Sequence, residues 1–328
     1  MTRTEVLLFP PPVARGAVDD TSLATSLTVP RQLLSTVDLD MLAQGARPTD
    51  RIVKHGSVTI AQQRFHYFAW GDIGPPVLMV HGTGFHGYVW KPIAQGLAAD
   101  HRVIAIDQRG HGDSVKPPSG YHWDVFGDDL FHILTHLRWS DVTAVGHSGG
   151  ATAIVLCAAY HPGVIRRAVL IDPILIPSFA EGIAMENPMA QRARKRRMVW
   201  ASRTSMFHSY RSREPFKTWR EDVLWAYIEE GTRARPDGHI ELKCPGTIEA
   251  QIFDNAPRSD GFAALPRVDI PVLIIRGESS PAFPEANAER AVSLLPHVEL
   301  QTMSGTSHFV PMERPDAIED LVRSFMSK

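Results

Sequence analysis

Several features that commit a protein to a particular environment are scarce in this sequence. Only two cysteines, Cys157 and Cys244, occur in 328 residues, too few for a disulfide framework, so we interpret both as buried or idle thiols. The formal net charge is -2, which argues against binding to nucleic acid or to an anionic membrane. No apolar run approaches the length of a membrane span. These absences predict a globular, cytoplasmic protein that binds neither nucleic acid nor a membrane.

Metal-binding and redox motifs are also absent from the sequence. No H-E-x-x-H and no paired-cysteine motif occurs, so we expect neither a metal nor a cofactor. The basic run from 191 to 197 is short and lies in a nearly neutral chain, and we interpret it as a solvated helix face. The expected partner is therefore a small-molecule substrate.

What is present is a regular alternation of apolar strands and helices. This pattern predicts an α/β fold with a mostly parallel sheet. We divide the chain into an N-terminal arm (1–50), a first core segment (51–173), a helical lid (174–267) and a second core segment (268–328). The arm carries apolar residues between 30 and 42, and it either packs on its own core or crosses to a second subunit in a homo-oligomer.

The stretch Gly146-His147-Ser148-Gly149-Gly150 is the clearest chemical signal. It fits G-x-S-x-G, it follows the apolar run 142–145 and it precedes a helical pattern. This context is typical of the nucleophile elbow, a sharp strand-to-helix turn that exposes a serine Oγ. A serine hydroxyl needs a base to become a good nucleophile. We assign that base to His308, which follows the last predicted strand, and we expect His147 to support the turn instead.

Over roughly Ile52 to Met326 the chain resembles the α/β-hydrolase superfamily, through the elbow, His81-Gly82-Thr83-Gly84, the stretch 107–114 and the terminal Gly305-Thr306-Ser307-His308. The resemblance implies an eight-stranded sheet flanked by helices, with the lid inserted after the sixth strand. It also implies that backbone N–H groups of Thr83 and Gly149 form an oxyanion hole. We therefore expect acyl transfer assisted by two amide donors.

The third member of the triad is less clear from the sequence. The family commonly places its acid three residues after the glycine that ends the strand 271–276, and in this chain that residue is Ser280, which cannot serve. Asp172, at the end of the strand after the elbow, stands where some branches such as haloalkane dehalogenases carry their acid. Glu278 is the alternative. We favour Asp172 and keep both candidates open.

A serine at the elbow favours acyl transfer to water over the alkyl-ester chemistry of relatives with an aspartate there. The lid is rich in aromatic residues and methionine, which suits a bulky apolar or aromatic substrate. We expect contacts from Phe85, Tyr88, Met189 and Phe207. The whole chain is also similar to bacterial hydrolases that open the macrocyclic lactone zearalenone.

We therefore predict a serine hydrolase for a carboxylic ester or a lactone. Two alternatives stay open at this point. One is a carbon–carbon bond hydrolase acting on a diketone, and the other is a ligand-binding or receptor protein with little turnover on the same fold.

Overall fold

A twisted sheet of eight strands forms the centre of the molecule. The computed structural model describes residues 53–176, 187–256 and 259–328, so the predicted arm (1–50) lies outside the described residues. The eight strands are β1 (Lys54–Ile60), β2 (Gln63–Trp70), β3 (Pro76–Val80), β4 (Arg102–Ile106), β5 (Val142–His147), β6 (Ile165–Ile171), β10 (Val272–Gly277) and β11 (Val298–Met303). Their order is β1-β2-β4-β3-β5-β6-β10-β11.

Pairing in this sheet changes from antiparallel to parallel along its width. β1 pairs antiparallel with β2, and β2 with β4, whereas all pairs from β4 to β11 are parallel. Every residue of β3, β5 and β10 is buried. Such unalternating apolar strands need cover on both faces of the sheet. The predicted mostly parallel eight-stranded sheet is confirmed.

Helices supply that cover on both faces. The helices of the core are α1 (Lys91–Leu97), α2 (Trp123–Leu137), α3 (Gly149–Tyr160), α9 (Glu285–Leu294), α10 (Val310–Glu313) and α11 (Pro315–Met326). Two large apolar clusters result, and the side chains of the sheet alternate between them. Among the described residues, no helix is both long and apolar enough to cross a membrane.

The segment between β6 and β10 contains helices and also a small second sheet. Its helices are α4 (Pro188–Arg194), α5 (Arg203–Arg211), α6 (Glu221–Gly231), α7 (Gly246–Asn255) and α8 (Gly261–Ala264). The second sheet has the order β7-β9-β8, with β7 (Val199–Trp200), β8 (Thr232–Ala234) and β9 (Ile240–Leu242). The sequence analysis predicted helices alone here. A turn that contains Gly238 joins β8 to β9. The φ of Gly238 is +80°, a conformation that glycine adopts without strain.

Candidate active site

Ser148 lies at a sharp turn between β5 and α3. Its backbone has φ 56° and ψ −126°, a conformation that is unusual outside glycine and that projects the side chain from the turn. The Ser148 N–H donates to the carbonyl of Ile171 at 3.0 Å. At Gly150 a Cβ would lie 2.4 Å from the carbonyl oxygens of Val80 and His81. The absence of a side chain there lets the start of α3 approach the end of β3.

His308 bridges Ser148 and Asp172. His308 Nε2 lies 3.0 Å from Ser148 Oγ, and His308 Nδ1 lies 2.7 Å from Asp172 Oδ1. A carboxylate only accepts hydrogen bonds, so Nδ1 carries the proton and Nε2 is free to accept one from the serine. The structure thus brings together the three residues that the sequence analysis assigned as nucleophile, base and acid.

Asp172 is fully buried at the carboxyl end of β6. Its Oδ2 accepts the N–H of Gly277 at 2.8 Å, and its Oδ1 accepts the hydroxyl of Ser280 at 2.5 Å. The Asp172 backbone has φ 46°, in the left-handed region that costs a non-glycine residue roughly 1 kcal/mol or more. Surrounding hydrogen bonds hold the residue in this conformation, including one from the Asp172 N–H to the carbonyl of Ile275 at 2.7 Å.

Glu278, the alternative acid, lies in a different environment. It is exposed, and its Oε2 accepts hydrogen bonds from the Gly305 N–H at 2.9 Å and the Ser304 hydroxyl at 3.0 Å. These bonds hold the pKa of Glu278 below its usual value. The structure therefore does not bring Glu278 to His308.

The turn after β3 carries Thr83 next to Gly149. A Cβ on Gly149 would lie 3.0 Å from Thr83 Oγ1, so the Thr83 side chain packs against the backbone of Gly149 beside the elbow. The Gly84 N–H donates to His111 Nε2 at 3.0 Å. His81 also holds the turn, because its Nδ1–H donates to the carbonyl of Gly82 at 2.8 Å.

The histidines around this turn are neutral. Burial lowers the pKa of His81 to about 4 and that of His111 well below its usual value. Both rings have an Nε2 that accepts a backbone N–H, from Gln108 and Gly84 respectively, and protonation would remove that acceptor. The segment after β4 therefore fixes the shape of the turn that carries Thr83.

Comparison with known proteins identifies the family. A sequence family described as the alpha/beta hydrolase fold matches residues 75–315. The chain belongs to the α/β-hydrolase fold family. It is 30% identical over 262 residues to the non-heme chloroperoxidase CPO-A1 of Kitasatospora aureofaciens, a match that covers 75% of this chain and 89% of that protein.

Named hydrolases are equally similar. The 2-(acetamidomethylene)succinate hydrolase of Mesorhizobium japonicum is 30% identical over 258 residues, covering 77% of this chain and 88% of its own length. The crystal structure of E-2-(acetamidomethylene)succinate hydrolase superposes with a TM-score of 0.76 at 27% identity, over 84% of this chain and all of that one. The predicted α/β-hydrolase superfamily is confirmed, and the hydrolases among the similar proteins support a hydrolase activity for this chain.

The residues predicted to contact substrate in this α/β hydrolase lie in different places. The Phe85 ring is stacked on His147, with centroids 6.1 Å apart, and also touches Phe309 next to the base. Tyr88 packs against aromatic rings of β2 in the core, and Phe207 stacks on Trp225. Met189 is largely exposed on α4. The structure thus places Phe85 against the residues that precede Ser148 and follow His308, and it does not show Tyr88, Met189 or Phe207 there.

The sequence analysis missed a small cavity of the α/β hydrolase behind Thr83 and Gly149. It holds about 240 Å³ of empty space, part of it open to solvent, and it is lined by Thr83, Gln108, His111, Trp123, Phe126, Gly149 and Ile252. The Trp123 indole N–H donates to the carbonyl of Ile252 at 2.9 Å, which joins α2 to α7. The aromatic residues at the start of α2 were a usable signal, but only the fold places them beside the elbow.

A cluster of His66, Asp107 and Asp113 places possible metal ligands within 4.8 Å of one another. Protein donors already surround the Asp107 carboxylate: the His66 ring at 2.8 Å and the N–H groups of Gly87 at 2.7 Å and Asp113 at 2.9 Å. Burial alone would raise the pKa of Asp107, but the hydrogen bond from His66 and nearby histidine charge hold it below its usual value. This cluster supports the loop after β4, and we assign no metal to it.

Proposed function

We propose that this α/β hydrolase is a serine hydrolase that cleaves a carboxylic ester or a lactone through an acyl-enzyme. The observation that carries the proposal is the pair of contacts made by His308, at 3.0 Å to Ser148 Oγ and 2.7 Å to Asp172 Oδ1. Nucleophile, base and acid in hydrogen-bond contact are the arrangement that activates a serine hydroxyl.

In the proposed reaction, Ser148 Oγ attacks the substrate carbonyl carbon as its proton passes to His308 Nε2. Asp172 holds the Nδ1 proton and stabilises the imidazolium that forms. His308 then gives its proton to the leaving alkoxide, which in a lactone stays attached to the acyl group. Water, activated by the same histidine, releases the acid and regenerates the serine.

Negative charge on the former carbonyl oxygen needs donors that are already in place. We assign this role to the N–H groups of Thr83 and Gly149: Gly149 follows Ser148 directly, and the Thr83 side chain lies against Gly149. Each such donor contributes roughly 3 to 4 kcal/mol to transition-state stabilisation. Gly149 also begins α3, so its N–H lies at the positive end of the helix dipole.

The cavity favours a neutral, apolar or aromatic acyl or alcohol group. Among its described lining residues there is no lysine, arginine or carboxylate, and its single histidine, His111, is neutral. A substrate carrying carboxylates, such as the succinate derivative in the name of one relative, would have no cationic partner there. An uncharged macrocyclic lactone such as zearalenone fits this chemistry.

A bulky substrate also needs more space than this cavity offers. The space in it that can hold the centre of a water-sized molecule is only about 10 Å³, enough for roughly one water, whereas ligand pockets are typically about 300 to 1,000 Å³. We therefore propose that the segment 174–267, whose helix α7 supplies Ile252, acts as a lid that withdraws on binding. We also keep the proposal that residues 1–50 mediate a homo-oligomer. If light scattering showed the same number of subunits after deletion of residues 1–45, that result would contradict it.

The experiment is base consumption at constant pH with short esters, aryl esters, macrocyclic lactones and a dicarboxylate monoester. We expect wild type to prefer uncharged substrates and Ser148→Ala to lose several orders of magnitude in kcat. Ser140→Ala, an exposed serine in the loop before β5, is the matched control. Activity that survives Ser148→Ala would refute the serine mechanism. Turnover of a vinylogous diketone alone would favour the carbon–carbon hydrolase, and binding without turnover would favour the receptor.

A further inference from the structure

Ser280 occupies the place where relatives commonly carry their acid, and it is buried. It ends a tight turn after β10, in which the Ser280 N–H donates to the carbonyl of Gly277 at 3.1 Å. The same turn aims the Gly277 N–H at Asp172 Oδ2. Backbone and side chain of one turn therefore both face the Asp172 carboxylate.

The surroundings of the Ser280 hydroxyl fix the direction of its proton. Ser280 Oγ accepts the N–H groups of Ala282 at 3.3 Å and Phe283 at 3.4 Å. Since its lone pairs face these donors, the hydroxyl proton is directed at Asp172 Oδ1, 2.5 Å away. A hydrogen bond to an ionised acceptor is about twice as strong as one between neutral groups.

Asp172 Oδ1 is also the oxygen that accepts His308 Nδ1–H. Two donors thus share this oxygen, and within the described residues Gly277 is the one donor to the other oxygen. Rotation of the carboxylate about its Cβ–Cγ bond would break all three bonds at once. Ser280 consequently affects both the angle at which Asp172 meets His308 and the charge left on the shared oxygen.

We propose that Ser280 is a positioning residue for the acid: its hydroxyl locks the Asp172 carboxylate in the plane that His308 needs. The inference rests on the serine mechanism proposed above. It explains how the chain keeps a triad although the usual acid position holds a serine. Asp172 supplies the negative charge, and Ser280 fixes the orientation of the Asp172 carboxylate.

The test is Ser280→Ala, with Ser280→Thr to keep a hydroxyl and the exposed neighbour Ser279→Ala as matched control. We expect Ser280→Ala to lower kcat about tenfold to a hundredfold, as for loss of a hydrogen bond to a charged group, with KM unchanged. Ser280→Thr should recover most of the activity.

Two further measurements separate failure of this inference from failure of the proposed function. In a double-mutant cycle, Ser280→Ala should have little effect in the Asp172→Asn background, since it acts through that carboxylate. The proton NMR resonance of His308 Nδ1–H should shift in Ser280→Ala and not in Ser279→Ala, a readout that needs no substrate. An unmoved resonance together with unchanged kcat would overturn the inference while leaving Ser148→Ala to judge the mechanism.

Discussion

Replacement of Asp172 by asparagine tests the site most sharply, because the structure states what the new amide would meet. Three donors converge on the Asp172 carboxylate, from His308, Ser280 and Gly277. Asparagine offers one oxygen and one NH₂ group, so it cannot accept from both sides. With its oxygen toward Gly277, the NH₂ group faces His308 and Ser280.

That arrangement would reverse the imidazole tautomer. His308 Nδ1 would accept from the amide and Nε2 would carry the proton, leaving nothing to take the proton of Ser148. Loss of the triad acid by this route costs about 10³ to 10⁴ in kcat, or roughly 4 to 5.5 kcal/mol of transition-state stabilisation. We expect folding stability to fall by only about 1 to 3 kcal/mol, the usual cost of an imperfectly satisfied buried polar group.

The assay is steady-state hydrolysis of an aryl ester by Asp172→Asn and Glu278→Gln, with thermal unfolding of each variant. Glu278→Gln is the matched control, since the Glu278 side chain is exposed and accepts hydrogen bonds from Ser304 and Gly305, away from His308. Its kcat should stay within about twofold of wild type. A loss below tenfold in Asp172→Asn, or a loss above a hundredfold in Glu278→Gln, would refute our assignment of the acid.

Three other outcomes are expected. Gly82→Ala should lower kcat about tenfold with little loss of stability. Its Cβ would lie 3.0 Å from Ser148 Cβ and 3.2 Å from His147 Nδ1, so the turn would shift by a few tenths of an ångström. Unchanged kinetics would contradict this. His111→Phe removes the acceptor of the Gly84 N–H and should lower kcat about 10²-fold. His111→Gln keeps an acceptor and should recover most of the activity. Equal losses in both variants would argue against a role of His111 in holding the turn that carries Thr83. The free energy of unfolding should fall as the pH is lowered from 7 to 5. The pKa of His81 is about 4 in the folded protein and about 6.5 in the unfolded chain, so the unfolded state binds the extra proton, and this residue alone accounts for about 2 kcal/mol. A melting temperature that is constant over that range would contradict the prediction.

The sequence was most informative where local chemistry and chain order decide the structure. The eight-stranded sheet follows from apolar runs that alternate with helices, and the meeting of Ser148 with His308 follows from strand ends that share one edge of the sheet. Asp172 was favoured because it ends the strand after the elbow, where some branches of the superfamily carry their acid, and the structure places that strand, β6, beside β5.

Other features depend on contacts between residues distant in the chain. The hydroxyl of Ser280 reaches a carboxylate 108 positions away, which no local pattern encodes. The burial of Tyr88 and Phe207 could not be told from exposure to substrate, since aromatic residues serve core and pocket equally well. The small sheet β7-β9-β8 has strands of only two or three residues, too short for a periodic pattern.

The position of Asp172 has a mechanical consequence for the enzyme. Asp172 lies immediately before the inserted segment, and the residues that follow it are hydrogen-bonded to the core. The Ile174 N–H approaches the carbonyl of Ser148 at 3.5 Å, and the Thr152 hydroxyl donates to the carbonyl of Ile174 at 2.7 Å. These bonds hold the chain just after Asp172 in place, so movement of the inserted segment need not reach Asp172. If the segment moves on binding as proposed, these bonds keep Asp172 in contact with His308, so a change in which substrates the segment admits would leave the geometry of the proposed triad unchanged.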